Sequence, residues 1–378
     1  MHQVGDNGDF MPANQTRTEG NDDQSFWAFT ALMAAEMNFP NPEDDKPSWL
    51  SLAQAVFNEQ AARWDEDTCN GGLKWQIYSF NSGYQYKNSI SNGCFFDLGA
   101  RLARYTGNTT YAEWAERTWD WAIKVGVIGE RYEVYDGTSE TNNCSDVNHV
   151  QWSYNNGVFL HGAAHMWNYV CFLTSTALKE TFITNKTQTN GASTWGDRVQ
   201  SLLNAQQIFF SHNTSSSHVM YESSCEPENK CTTDQTSFKA YLGRWMADIA
   251  KIAPFTYDTI IERLRASATA AAAQCSGGDT GTYCGTLWTT GSYDGSMGVG
   301  QQLSALEVVQ VTLLDTIAGP MTDDTGGSSK GDSSAGTSDS AHIPHRLGPV
   351  TKKDRVGAGV VTGGFVCLLI GCGVFMLF

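Results

Sequence analysis

The chain has 378 residues, 41% of them apolar or aromatic, which is enough to fill a sizeable core and excludes a disordered protein. Its formal net charge of -16 argues against a nucleic-acid partner, because phosphate binding is driven by clustered Lys and Arg. A neutral polymer such as a glycan meets no such repulsion, and the 12 Trp, 14 Tyr and 18 Phe supply flat faces that suit sugar rings as well as they suit a core.

Residues 1–20 carry neither a helical pattern nor an apolar leader and are read as an incomplete N-terminal segment. From Asn21 two kinds of helical pattern alternate. An apolar, small-residue helix opened by a polar cluster recurs in NDDQSFWAFTALMAAEM from Asn21, NGCFFDLGARLARYTG from Asn92, YNNGVFLHGAAHMW from Tyr154, TDQTSFKAYLGRWMADIA from Thr233 and GVGQQLSALEVVQ from Gly298. Amphipathic helices lie between them, in WLSLAQAVFNEQAARW, TYAEWAERTWDWAIKVG, TWGDRVQSLLNAQQIFF and YDTIIERLRASATAAAA. Strand-like alternation is confined to short pieces such as ERYEVYDG, Glu130 to Gly137. This alternation, at a spacing of roughly seventy residues, is how helical hairpins arranged in a ring would read. Inner helices would be covered on every side, and outer ones would show one face to water. The polar clusters at the inner-helix starts would line a common hollow, where free backbone N–H groups and positive dipole ends also point. Five such inner helices leave an incomplete circle, and the missing hairpin is expected upstream of the first residue.

Eight Cys precede the C-terminal tail, none in a C-x-x-C pair, so disulfides are a better reading than zinc. Cys225 with Cys231, and Cys275 with Cys284, are close enough to close short loops, whereas Cys171 stands in an apolar helix where a buried thiol is equally plausible. Sequons at Asn14, Asn108, Asn143, Asn185 and Asn213 mark expected glycosylation sites of a secreted chain. The folded part is expected to end near residue 320. A Ser/Gly/Thr/Asp-rich stalk is expected over 321–341, then a polar, basic spacer and the uncharged run Val356 to Phe378 within 342–378. Small residues, spacer and terminal apolar tail together read as a GPI-attachment signal, with a tail-anchoring helix as the competing reading. Such a chain needs a signal peptide, which this sequence does not show.

Asn21-Asp22-Asp23-Gln24 is the first candidate for chemistry, with Asn21 suited to an N-cap and Gln24 to the closing position of a capping box. Acidic residues favour helix starts for dipole reasons alone, and Asp44-Asp45 and Asp323-Asp324 show that the dipeptide is common here. Only the Asp22 pair opens an apolar inner helix. Retaining glycoside hydrolysis needs one ionised and one protonated carboxyl about 5 Å apart, within reach of adjacent side chains. The helix start favours the ion, and that ion's charge keeps its neighbour protonated.

NDDQSFWAF, CNGGLKWQI, NGCFFDLGARLARYTGN, WSYNNGVFLHGAA, CTTDQTSFKAYLGRW and GVGQQLSALEV together resemble glycoside hydrolase family 76, the endo-α-1,6-mannanases and their GPI-anchored fungal wall relatives. The resemblance covers Asn21 to about Val309. It implies an all-α (α/α)6 toroid, an α-1,6-mannan or GPI-glycan substrate, a retaining mechanism without a cofactor, and wall glucan as an acceptor. It places the nucleophile on Asp22 and the general acid/base on Asp23.

Around the pair, Asn21, Asn92, Asp97, Tyr154, Asn155, Gln235 and Gln301 stand at or near inner-helix starts and are candidates for holding sugar hydroxyls, with helix capping the plain alternative. Trp75 and Trp152 are candidate stacking platforms or packing residues. His161 and His165, one turn apart, have no carboxylate at the zinc-peptidase spacing and are read as helix-packing residues, so no metal is expected. Glu307 is either a third carboxylate in the site or a buried structural partner. The expected enzyme is a wall-remodelling glycosidase or transglycosidase at the outer face of the plasma membrane; a mannan-binding wall protein without catalysis and a structural adhesin are the rivals.

Overall fold

The computed structural model describes residues 3–5, 7–12, 14, 17–175, 188–337 and 362. The sequon at Asn185 and the expected spacer and tail lie outside them, apart from residue 362. Among the described residues no helix is long and apolar enough to cross a membrane.

Nine α-helices are described: α1 (Asn21–Glu36), α2 (Trp49–Arg63), α3 (Ser89–Thr106), α4 (Thr109–Val125), α5 (Ser153–Ser175), α6 (Gln188–Ala205), α7 (Phe238–Ile252), α8 (Tyr257–Gln274) and α9 (Val299–Gln310). The odd-numbered helices follow one another in space, α1 against α3, α3 against α5, α5 against α7 and α7 against α9, while α2, α4, α6 and α8 back them. This is the inner and outer arrangement expected of a toroid of hairpins. Burial agrees with it. In α3 every residue except Arg104 and Thr106 is buried, whereas α4 buries only a stripe of Tyr111, Ala112, Ala115, Thr118, Trp119, Trp121 and Ala122.

Glycines set how closely the inner helices approach. A Cβ at Gly162 of α5 would lie 2.6 Å from the Phe96 ring and 3.0 Å from Asp97 Cα of α3, so any larger residue would push the two helices apart. The helix ends also have local causes. Asn88 caps α3 by accepting from Ser91 N at 3.3 Å, and Asn108 caps α4 by accepting from Thr110 N at 3.0 Å. Gly107 and Gly126 close these helices in the left-handed conformation. α3 therefore starts before Asn92, which lies inside the first turn.

A small antiparallel sheet of order β1-β2-β3 joins Tyr86–Asn88, Tyr135–Ser139 and Val147–Gln151. β1 leads into α3 and β3 into α5, so the sheet braces the starts of two inner helices. The strand expected over 130–137 belongs to β2 only from Tyr135, the earlier residues making an isolated bridge from Val134 to Ile128.

Three disulfides join Cys69 to Cys144, Cys225 to Cys231 and Cys275 to Cys284; Cys94 and Cys171 stand outside them. The stalk expected from residue 321 takes a different course through residue 337. It lies along α2, with Ser329 Oγ accepting from Leu50 N at 3.0 Å, Gln54 Oε1 accepting from Asp332 N at 2.7 Å, and Asn58 Nδ2 donating to the carbonyls of Ser333 and Ala335 at 3.0 and 2.8 Å. Polar side chains on the back of α2 satisfy its backbone, which composition alone does not reveal.

Candidate active site

α1 begins one residue earlier than its capping pattern suggested. Gly20 is the N-cap, and Asp23 Oδ2 accepts from Gly20 N at 2.8 Å, the role expected of Gln24. Asn21 is instead a buried bolt. Its backbone N donates to Trp75 O at 2.9 Å, its Nδ2 to Lys74 O at 2.8 Å, and its Oδ1 accepts from Arg63 Nε at 2.9 Å. Gln24 is likewise committed, donating to Asp9 O and Glu59 Oε2 and accepting from Arg63. The start of α1 is thus fixed to the end of α2 and to the loop carrying Trp75, and Asp22 and Asp23 inherit that rigidity.

Asp22 is half-buried, and its Oδ1 is enclosed without a hydrogen-bond partner. Burial and then the charge of Asp23 push its carboxyl up to about 7, against the pull of first-turn N–H groups and of Trp75. Asp23 opens into a hollow of about 360 Å³ lined with Thr18, Glu19, Phe26, Trp27 and Tyr241. Desolvation by these walls raises its pKa as well, and the Gly20 N–H draws it back. Glu19, buried at the rim, is pushed up to about 7 by burial and then by the charges of Asp23 and Asp9. Gly20 permits this crowding. A Cβ there would stand hard against Asp22 Oδ1 and 3.2 Å from Asp23 Oδ2.

A second cavity, of about 380 Å³, shares Phe26 and Tyr241 with the first and reaches Arg101, His161, Asp248 and Glu307 among the inner helices. Behind it lies a buried polar cluster. Glu36 takes Arg101 at 2.5 Å; Asp97 Oδ1 lies 2.9 Å from His161 Nδ1; Asp248 Oδ2 lies 2.8 Å from His161 Nε2 and 3.0 Å from His165 Nε2. His161 is raised to about 9 by Asp97 and Asp248 against the pull of burial, and burial followed by the charge of His161 lowers His165 to about 4.

The other candidates separate clearly. Trp75 is partly exposed and lies beside Asp22, its ring stacked over Gly83, so a stacking role stays open to it. Tyr154 is half-buried, stacked on Phe238 at 3.8 Å, and its hydroxyl pKa is raised well above the usual value by burial and by the charge of Asp22. Trp152 meets the same Phe238 edge-on at 5.7 Å. Asn155 is buried with neither side-chain atom hydrogen-bonded. Gln235 Oε1 accepts from Thr232 N at 2.9 Å, and Gln301 lies over Gly298 at the start of α9. Two expectations are corrected. Asn92 is fully buried and joined to backbone only, accepting from Leu73 N and donating to Leu73 O and Asn88 O, so it fixes the Leu73 loop and lies out of a sugar's reach. Asp97 is fully buried in the third turn of α3, joined to His161 and Arg101. Glu307 pairs with Arg244 on the wall of the larger cavity. Of the expected glycosylation sites, Asn14, Asn108, Asn143 and Asn213 are exposed.

The sequence profile of glycosyl hydrolase family 76 matches residues 1–324. The chain belongs to that family. It is 45% identical to mannan endo-1,6-alpha-mannosidase DCW1 of Saccharomyces cerevisiae, over 100% of this chain and 79% of the relative. Among solved structures it is similar to Dfg5 from Chaetomium thermophilum in complex with glucosamine, with 47% identity, a TM-score of 0.81, and coverage of 91% of this chain and 80% of the other. It shares its fold with the α-1,6-mannanase of Salegentibacter, with a TM-score of 0.59 at 16% identity, covering 81% of this chain and 80% of the other.

Several residues around the candidate site carry little sequence signal. Glu19 precedes Gly20 in a segment set aside as incomplete, although an acid two residues before the helix was its visible signal. Phe26, Trp27 and Tyr241 fall inside apolar helical patterns that carry no mark of a site, yet Trp27 is 41% exposed on the wall beside Asp23. Asp248 has no signal at helical spacing from the two histidines, because the carboxylate comes from the next inner helix.

Proposed function

We propose that this chain cleaves or transfers α-1,6-linked mannose with retention of configuration, Asp22 acting as nucleophile and Asp23 as general acid/base. The observation that carries the reading is the placement of two consecutive carboxyls on the first turn of an inner helix, rigidly held, with Asp23 opening into a hollow walled by Phe26, Trp27 and Tyr241. The mannan endo-1,6-alpha-mannosidase name of a relative 45% identical supports the linkage. The Salegentibacter mannanase is also known as an inactive variant with two consecutive aspartates replaced, in complex with α-1,6-mannotriose.

Asp22 attacks the anomeric carbon while Asp23 gives its proton to the departing glycosidic oxygen; Asp23 then takes a proton from water or a sugar hydroxyl, which displaces Asp22. Burial raises both carboxyls of the free pair, Asp22 to about 7, and the reaction needs the proton on Asp23. Positive charge that develops at the anomeric carbon in the transition state favours Asp22 as the carboxylate. Asp23, on the open side, is the group that a leaving group and then water can reach. Trp75, Trp27, Tyr154 and Asn155 bind the sugars on this reading, and Glu19 holds a third exchangeable proton beside Asp23.

The finer role is wall biogenesis at the outer face of the plasma membrane, with the chain a GPI-anchored glycoprotein acting on mannan or GPI glycan and passing it to wall glucan. The tail composition and the exposed sequons support it. The test is time-resolved NMR of α-1,6-mannotetraose with the parent chain, Asp22→Asn and Asp23→Asn. The parent is expected to release the α-anomer first, and each variant to lose at least about a thousandfold in kcat/KM. Cleavage by both variants at the parental rate sinks the assignment, and tight binding without cleavage by the parent favours the mannan-binding protein.

A further inference from the structure

We propose that His161, His165 and Asp248 form a binding site for a divalent transition-metal ion of the zinc class, separate from the sugar-cleaving pair. His161 and His165 are one turn apart on α5 and present their Nε2 atoms on the same face, while α7 brings Asp248 opposite them. The three donor atoms form a triangle with edges of 2.8, 3.0 and 3.2 Å. A tetrahedral ion with ligands at about 2.0–2.1 Å has donor–donor edges of about 3.3 Å, so a shift of a few tenths of an ångström admits one.

With hydrogen on both Nε2 atoms, both donate to Asp248 Oδ2, at 2.8 and 3.0 Å. A cation at the centre would take the same three atoms in place of those hydrogens. The surroundings are those of a metal centre: Asp97 holds His161 from its far side at Nδ1, as carboxylates behind ligating histidines do, and the face of Asp248 turned to the larger cavity leaves room for a water as fourth ligand. Two imidazoles and one carboxylate suit zinc, cobalt or nickel and not magnesium or calcium, which prefer all-oxygen sets. The ion would tie α5 to α7 within the ring.

The test is zinc titration calorimetry and cobalt(II) absorption on the full chain without an affinity tag, alongside Asp248→Asn, His165→Gln and Asp97→Asn. One zinc per chain is expected, with cobalt giving the intense visible bands of tetrahedral coordination. Asp248→Asn and His165→Gln should abolish both, and Asp97→Asn, a positioning change, should weaken zinc about ten- to a hundredfold. His165→Gln is the variant to rely on if Asp248→Asn does not fold, because His165 Nδ1 has no hydrogen-bond partner to lose. The proposal is overturned if the folded parent takes up no zinc at micromolar concentration, or if the cobalt spectrum survives in His165→Gln. Mannan cleavage does not enter either readout, so the result stands apart from the catalytic assignment.

Discussion

Gly20 and Asp22 show how little freedom the two candidate carboxyls have. The glycine leaves just enough space for the carboxyls to crowd together, and crowding plus burial lifts Asp22 from 3.8 to about 7. That shift has a consequence for stability. A carboxyl whose pKa is higher folded than unfolded binds its proton more tightly when folded, so its contribution is fully present below about pH 4 and is lost as the pH rises through about 7. Asp22→Asn removes this titration. Relative to the parent, the variant is expected to gain stability between about pH 4 and about pH 8, as read from urea midpoints at the two pH values. A difference that stays constant across the range would show that the carboxyl is not desolvated as the structure indicates. The Asp22–Asp23 pair was legible in the sequence because carboxyls at the start of an otherwise apolar helix are a local signal. Asn92 and Asp97 were misread because the partner of a polar side chain is not local: Leu73 claims one and His161 the other.

At the scale of elements, periodicity worked where an element was long. Eighteen residues of α3 and 17 of α4 give several turns in which all-round and one-sided burial look different. β1 has three residues and β2 five, too few for alternation to show, and the course of residues 329–335 along α2 has no periodic signature at all. The loop between α2 and β1 was legible only as Gly-rich sequence, yet it carries Trp75 to the site and is organised from within by a lysine. Lys87, fully buried, donates from Nζ to the carbonyls of Thr68, Gly71 and Asp65 at 2.8, 2.6 and 3.2 Å and pairs with Asp65 Oδ2 at 3.2 Å. Lys87→Met would strand those three carbonyls, while Asp65 keeps Lys74 and Thr68 as partners. The expected loss is about 3–5 kcal/mol by urea unfolding, because three largely buried carbonyls lose their donor at about 1–3 kcal/mol each. Activity should fall with it under conditions where the chain stays folded, since Trp75 and the bolt on Asn21 share this loop.

For the whole molecule, the ring was legible because its alternation of helix types repeats along the chain, and what closes it at long range was not. The spacing of cysteines suggested the two short disulfides and could not show the long one, because Cys69 and Cys144 come together only after α3 and α4 have run out and back between them. That bond matters most on entropic grounds. Tying residues 75 apart removes about 4–5 kcal/mol of denatured-chain freedom, whereas closures of 6 and 9 residues remove about 2–3 each. It also joins the loop carrying Trp75 to the turn between β2 and β3, where Glu140 pairs with Lys74. Paired serine replacement at 69 and 144 is therefore expected to lower the urea midpoint more than replacement of either short pair, by roughly 2 kcal/mol in unfolding free energy. Equal losses from all three would mean that the denatured chain already holds α3 and α4 together, so that the long bond has little freedom left to remove.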